Sequence, residues 1–188
     1  MSTRFAVRSA MITTFSTLTI AAVLSVPLLA QHATDAAGPE HQALAKRAGT
    51  YEVTSKMAGP GAPAGEASKG TATLKTVCDG KFLMEENSGA MMGEKYTGLR
   101  LLGYNNDQKA YEATWIYSMS TAFLQMKGKS DDGGKTIKVS GDVTEGGMKM
   151  TLRAEYHFTS DDSFVVKLIA GDAGAEMTVL EETYTRKK

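Results

Sequence analysis

The chain has 188 residues, 42% of them hydrophobic and 22% charged, with 21 basic and 21 acidic side chains. That balance suits one globular domain and leaves no electrostatic footprint for a nucleic acid. A single cysteine, Cys78, excludes an internal disulfide, so the core has to hold without covalent staples.

Residues 1–30 differ from the rest of the chain. Arg4 and Arg8 make a short positive region, an apolar stretch runs from Met11 to Leu29, and Ala30 supplies a small residue at a cleavage point. This is the pattern of a signal peptide, and it predicts a periplasmic or secreted protein. Thr13, Thr14, Ser16, Thr17 and Thr19 make the stretch a poor membrane span, so none is expected after cleavage. Cleavage leaves 19 basic against 21 acidic side chains, a net charge of −2. Residues 31–38 then read as a small, polar, flexible tail.

Residues 39–188 read as one domain. Its first element is a helix over Pro39–Ala48, with Pro39 suited to the first helical position and Gly49 to the position just past the end. His41, Leu44, Ala45 and Ala48 share one face, and His41 is read as a packing residue or cap. A strand follows at Thr50–Met57, then a Pro- and Gly-rich loop over Ala58–Ser68 that is either a lid or a tolerated insertion.

Nine more strands are predicted, at Lys69–Cys78, Lys81–Ser88, Lys95–Tyr104, Ala110–Tyr117, Thr121–Lys129, Lys135–Val143, Met148–Thr159, Ser163–Ala170 and Ala175–Lys187. Asp79-Gly80 is the strongest hairpin signal among the connectors, and Cys78 beside it is expected as a partly buried structural thiol. Short connectors force neighbouring strands to run antiparallel. The predicted fold is therefore all-β, an up-and-down barrel of about ten strands led by a short helix.

The strand alternation also proposes a site. Folding Lys81–Ser88 against Lys95–Tyr104 about Gly89–Gly93 puts Phe82, Met84 and Glu86 on the face of Tyr96, Arg100 and Leu102. If Tyr104 lies opposite Tyr111, then Arg100 lies opposite Trp115. The candidate ligand-binding set is Met84, Glu86, Arg100, Trp115 and Tyr117. Two roles stay open for Arg100: it grips a ligand carboxylate, or it stacks on Trp115 and pairs with Glu86 as structure.

Catalytic, metal and cofactor chemistry find little support. His157 shares the outer face of its strand with Lys149, Thr151, Arg153 and Glu155, which makes it a poor haem or metal ligand. Met148 and Met150 fit the filling of a core better than soft-metal binding, and Met91-Met92 falls in a loop with no role assigned. The pairs Glu85-Glu86 and Glu181-Glu182 put adjacent carboxylates on opposite faces, so neither pair makes a two-carboxylate site by itself. No nucleophile stands beside a base, and there is no Gly-rich phosphate loop. No catalytic residue, metal or cofactor is assigned.

Two resemblances extend this reading. Gly49-Thr50-Tyr51, with Arg186 placed to stack on Tyr51, resembles the first-strand Gly-x-Trp and late arginine of lipocalin-like calycin barrels, with Tyr in place of Trp. Gly38-Pro39-Glu40-His41, Leu102-Gly103-Tyr104-Asn105, the segment Thr114–Met119 and the final Glu182–Lys187 resemble the bacterial domain-of-unknown-function family 1579. That family carries an Asp after its Trp-Ile pair where this chain has Tyr117. The resemblance implies a lipocalin-like barrel and no established activity. The expected function is an exported barrel that binds a small hydrophobic or amphipathic molecule. The alternatives are a filled structural or interaction barrel, then an enzyme. Oligomeric state is not legible in the sequence.

Overall fold

The computed structural model describes residues 36–59, 67–145, 147–171 and 174–188. The expected signal peptide, residues 31–35 of the expected tail and residues 60–66 of the expected lid loop lie outside the described residues. A short helix α1 (Pro39–Ala45) precedes ten strands. They are β1 (Gly49–Met57), β2 (Ala67–Val77), β3 (Phe82–Met91), β4 (Glu94–Asn105), β5 (Ala110–Tyr117), β6 (Leu124–Lys129), β7 (Thr136–Glu145), β8 (Met148–Phe158), β9 (Ser163–Ala170) and β10 (Met177–Arg186). Each strand pairs with its neighbours in the chain, and β1 pairs antiparallel with β10 to close the barrel. This is the closed, all-β up-and-down barrel that the alternation predicts.

Period-two patterning drives the strands. In β2, Ala72 and Leu74 are buried while Thr71, Thr73 and Lys75 are exposed, so one face packs and the other is wet. Two boundaries move from the sequence expectation for local reasons. The helix gives way after Ala45 to tighter bonds from Arg47 N–H to the Leu44 carbonyl and Ala48 N–H to the Ala45 carbonyl, at 2.9 and 3.1 Å. Strand β6 starts at Leu124, because Ser120 Oγ accepts the Ala122 N–H at 3.1 Å and holds the preceding residues in a turn.

Two of the motif pieces meet at α1. His41 is buried, its Nδ1 accepts the Gly38 N–H at 2.9 Å, and its Nε2 lies 2.9 Å from the Tyr104 carbonyl. Those partners require the tautomer that carries its proton on Nε2, and they latch the helix across one end of the barrel. At the same end, Tyr51 stands opposite Arg186 in the β1–β10 register, with the guanidinium carbon 4.9 Å from the Tyr51 ring centre. Arg186 also donates to the carbonyls of Ala48, Lys46 and Asp161 at 2.6, 3.0 and 2.9 Å. A Cβ on residue 49 would fall 2.0 Å from Arg186 Nη1, and Gly49 has φ +154°. Glycine is required there on both counts, which explains the Gly-x-Tyr spacing.

The β3–β4 hairpin corrects the predicted register. Its turn is only Met92-Gly93, with φ of 52° and 81°, the left-handed pair of a two-residue turn. Glu85, not Glu86, therefore pairs with Arg100. One residue of slip sends every side chain of a strand to the other face. Met84 and Glu86 consequently leave the interior, and Leu83, Glu85 and Asn87 occupy it. Cys78 is the second correction. The turn begins at Cys78 itself (φ 51°), before Asp79-Gly80, which takes the thiol out of the ladder and exposes it.

Candidate functional site

The middle of the barrel holds a buried polar cluster. Strand β4 projects Arg100 inward, β3 supplies Glu85 from the neighbouring strand, and β10 supplies Glu182 and Tyr184 from the far wall. Arg100 Nη1 lies 3.2 Å from Glu85 Oε1, 2.6 Å from Glu182 Oε2 and 2.6 Å from the Tyr184 hydroxyl. The Tyr184 hydroxyl in turn lies 2.8 Å from Glu85 Oε1 and 3.1 Å from Glu182 Oε2, and Asn87 Nδ2 donates to Glu85 Oε1 at 2.8 Å. Arg100, Glu85 and Glu182 are each 5% exposed or less.

The same guanidinium stacks on Trp115 of β5, its carbon 4.0 Å from the ring centre. Trp115 Nε1–H donates to the Tyr156 hydroxyl of β8 at 2.8 Å. The cluster thus fixes the orientation of the indole from both sides. Below it, Tyr184 stacks on Phe164 and both pack edge-on against Tyr51, so the half of the barrel nearest α1 is filled.

Two carboxylates against one guanidinium set the electrostatics. Burial pushes the Glu85 carboxyl above its ordinary range, with Arg100 opposing and the Glu182 charge adding to the rise. Burial works against the charge of Arg100, but Glu182 and Glu85 override it and hold the guanidinium firmly protonated. Burial also raises Tyr184 and Tyr156, keeping both hydroxyls protonated, that of Tyr184 beside Glu85 and that of Tyr156 accepting from Trp115. Within this network Arg100 Nη1 is crowded with acceptors, while Arg100 Nε and Nη2 have no hydrogen-bond partner among the described residues.

Toward the end of the barrel away from α1, the interior opens into a cavity of about 230 Å³. Arg100 and Trp115 line it together with Tyr96, Tyr117 and aliphatic residues that include Leu124, Leu152, Leu168 and Leu180. Arg100 is the one charged side chain among the described lining residues, and neither Glu85 nor Glu182 is among them. Gly98 helps to shape this region, since a Cβ there would fall 2.4 Å from Asn87 Oδ1 and 2.6 Å from the Tyr96 hydroxyl.

Of the five predicted site residues, the structure brings Arg100, Trp115 and Tyr117 to the cavity. Met84 is half-buried on the outer face, and Glu86 is exposed and bonded to Lys75 at 3.0 Å. Sequence reasoning missed Glu85, Glu182, Tyr184 and Tyr156. A signal for two of them existed: Leu180, Glu182 and Tyr184 alternate on one face of β10, an acid within an apolar row. The argument from adjacent carboxylates holds within each strand, yet the inner members of the two pairs meet across the barrel. His157 lies on the outer face beside Glu155 at 3.1 Å, and Met91 lines the cavity while Met92 is spent on the turn. Among the described residues, no group of three or more His, Cys, Asp or Glu is placed to hold a metal ion.

Fold and site together define a closed ten-stranded antiparallel barrel with a buried arginine–carboxylate centre and an apolar cavity at one end. The chain belongs to the family described as "Protein of unknown function (DUF1579)", whose pattern matches residues 36–186. No curated protein matches the sequence. Among solved structures, the S-type phycobiliprotein lyase CPES from Guillardia theta aligns with a TM-score of 0.48 at 12% identity, covering 78% of this chain and 92% of that one. A redesigned beta barrel aligns with a TM-score of 0.40 at 15% identity, covering 78% of this chain and 96% of its own.

Proposed function

We propose that the protein is an exported barrel that binds a small apolar or amphipathic molecule in the cavity beside Trp115. One observation carries this reading. The cavity is walled by aliphatic and aromatic side chains, and Arg100 is the one charged side chain among its described lining residues. A concave, mostly apolar cavity with a single polar group in its wall is the usual form of a small-molecule site. Arg100, Trp115 and Tyr117 are the proposed ligand contacts. The pattern of residues 1–30 supports export. Among the described residues no helix is long and apolar enough to cross a membrane.

The test is native mass spectrometry of protein purified from its own host, followed by titration of the intrinsic fluorescence of Trp115 with apolar probes. A co-purified small molecule, or saturable quenching by a probe, is the expected result. The alternative of a filled structural barrel is favoured by the half nearest α1, where aromatic rings occupy the interior. An empty spectrum together with no quenching by any probe would extend that description to the whole barrel.

A further inference from the structure

We propose that the protein has a second small-molecule site, at the α1 end, for a zwitterion of amino-acid size with an apolar side group. The site is a pocket of about 240 Å³ between α1, the end of β4, the start of β5 and the turn from β6 to β7. It shares no lining residue with the cavity beside Trp115 and does not depend on that cavity being used. Tyr104 and Tyr111 supply its aromatic wall, standing opposite each other in the β4–β5 register with ring centres 5.0 Å apart. Tyr111 is 4% exposed, yet its hydroxyl has no hydrogen-bond partner among the described residues. That oxygen is not sealed from solvent, in contrast to Arg100 Nε and Nη2. It lies at the pocket wall, because a Cβ on Gly134, another lining residue, would fall 3.2 Å from it. A polar group so nearly buried is ordinarily paired, and what water can reach here a ligand can reach too.

The charges set the class of ligand. Glu40 of α1, Lys109 of the β4–β5 turn and Lys129 at the end of β6 also line the pocket, and none of them is in an ion pair among the described residues. Opposite charges thus share one pocket without meeting. They are also unevenly placed. Burial, then Glu40, Tyr104 and Asp132, push the Tyr111 hydroxyl up to about 12, so acids dominate around that hydroxyl, whereas both lysines are exposed. A simple carboxylate would face Glu40, and a simple amine would face the lysines. A zwitterion offers an opposite charge to each, its ammonium toward Glu40 and the tyrosines and its carboxylate toward Lys109 and Lys129. Size is bounded as well. A cavity of about 150 Å³ accommodates benzene, so one of about 240 Å³ takes on the order of nine non-hydrogen atoms. That is the size of an aliphatic amino acid.

The experiment titrates the full mature protein at neutral pH with L-leucine, 4-methylpentanoate and 3-methylbutylamine. These share one branched chain and carry both charges, the carboxylate alone and the ammonium alone. Calorimetry gives the affinities, and the amide NMR signals of Lys109 and Gly134 report the place of binding. Leucine should shift both signals and bind about fivefold more tightly than either analogue, the upper worth of one partly exposed ion pair. Equal binding by 4-methylpentanoate would make this an anion site, and equal binding by the amine a cation site; each would overturn the assignment of class. No shift of either signal with any of the three would remove the site. Leucine that quenches Trp115 and leaves those signals in place would be bound in the other cavity, and would overturn the second site while the cavity reading stood. Tyr111→Phe should weaken leucine binding about fivefold at an unchanged melting temperature. Glu40→Gln should erase the advantage of leucine over 4-methylpentanoate, and a folded variant that keeps it would refute the role given to that carboxylate.

Discussion

The two ends of this barrel are built on opposite terms. At the α1 end, polar side chains tie separate segments together: His41 bridges Gly38 to Tyr104, Tyr51 donates to the Arg47 carbonyl, and Arg186 collects three carbonyls and the Asp162 carboxylate. At the other end, large apolar side chains face solvent. Met92 in the β3–β4 turn, Met119 and Phe123 between β5 and β6, Met148 opening β8 and Met177 opening β10 are all exposed, Phe123 to 66%. One end spends its polar groups on being shut, and the other leaves apolar surface around a cavity. The closed end and the central cluster are therefore expected to open last and the mouth first.

That contrast can be broken at its boundary. Arg100→Met should strand two buried carboxyl groups and cost about 3–5 kcal/mol in urea denaturation, as breaking one partner of a buried ion pair does. A loss under about 1 kcal/mol would mean the cluster does not hold the barrel. At the closed end, Arg186→Ala should cost about 2 kcal/mol through its lost carbonyl bonds and the lost stacking on Tyr51, and should leave probe quenching of Trp115 unchanged. Weaker probe binding in that variant would show the two ends to be coupled.

A third test uses pH. Burial raises the Glu85 carboxyl above its usual 4.5, so the folded state holds a proton that the unfolded chain releases. The stability tied to that proton is fully present below about pH 4.5 and is lost as pH rises through the folded value. Glu85→Gln stays uncharged throughout, so the variant should gain on the wild type as pH climbs above this range. Parallel stability curves for the two proteins would rule out titration of Glu85 there. The smallest effect is expected at the mouth, where Phe123→Ser should shift stability by no more than about 0.5 kcal/mol. A larger loss would show that the exposed ring packs against something in the folded protein.

Much of this architecture was legible in the chain. The strands Ala110–Tyr117 and Ser163–Ala170 have the bounds that their alternation predicts, and Tyr51 meets Arg186 as the lipocalin resemblance implies. The site was legible only from one side. Strand β4 takes its phase from Tyr104 lying opposite Tyr111, which puts Arg100 opposite Trp115 as read even though Leu99 and Leu101 flank it. Strand β3 has no such marker. Phe82, Leu83 and Met84 are apolar in a row and Glu85-Glu86 are both acidic, so hydrophobicity cannot choose a face. The length of the Met92-Gly93 turn makes the choice, and a methionine in left-handed conformation is not what turn statistics anticipate. The carboxylate partners come from strands nearly one hundred positions apart in the chain, as the Glu85–Tyr184 separation of 99 shows, and no local pattern marks such a meeting.

The seam between β1 and β10 has a kinetic meaning. Tyr51 and Arg186 pair across 135 positions of chain, so closure is the least local event in the fold and its loop entropy is the largest. The central cluster waits on the same step, since Arg100 and Glu85 come from one mid-chain hairpin while Glu182 and Tyr184 arrive only with β10. Until that strand is in place, the earlier strands form an open sheet with two unpaired edges and a centre that lacks Glu182 and Tyr184. Folding is therefore expected to be late and cooperative, completed by the last strand rather than accumulated hairpin by hairpin.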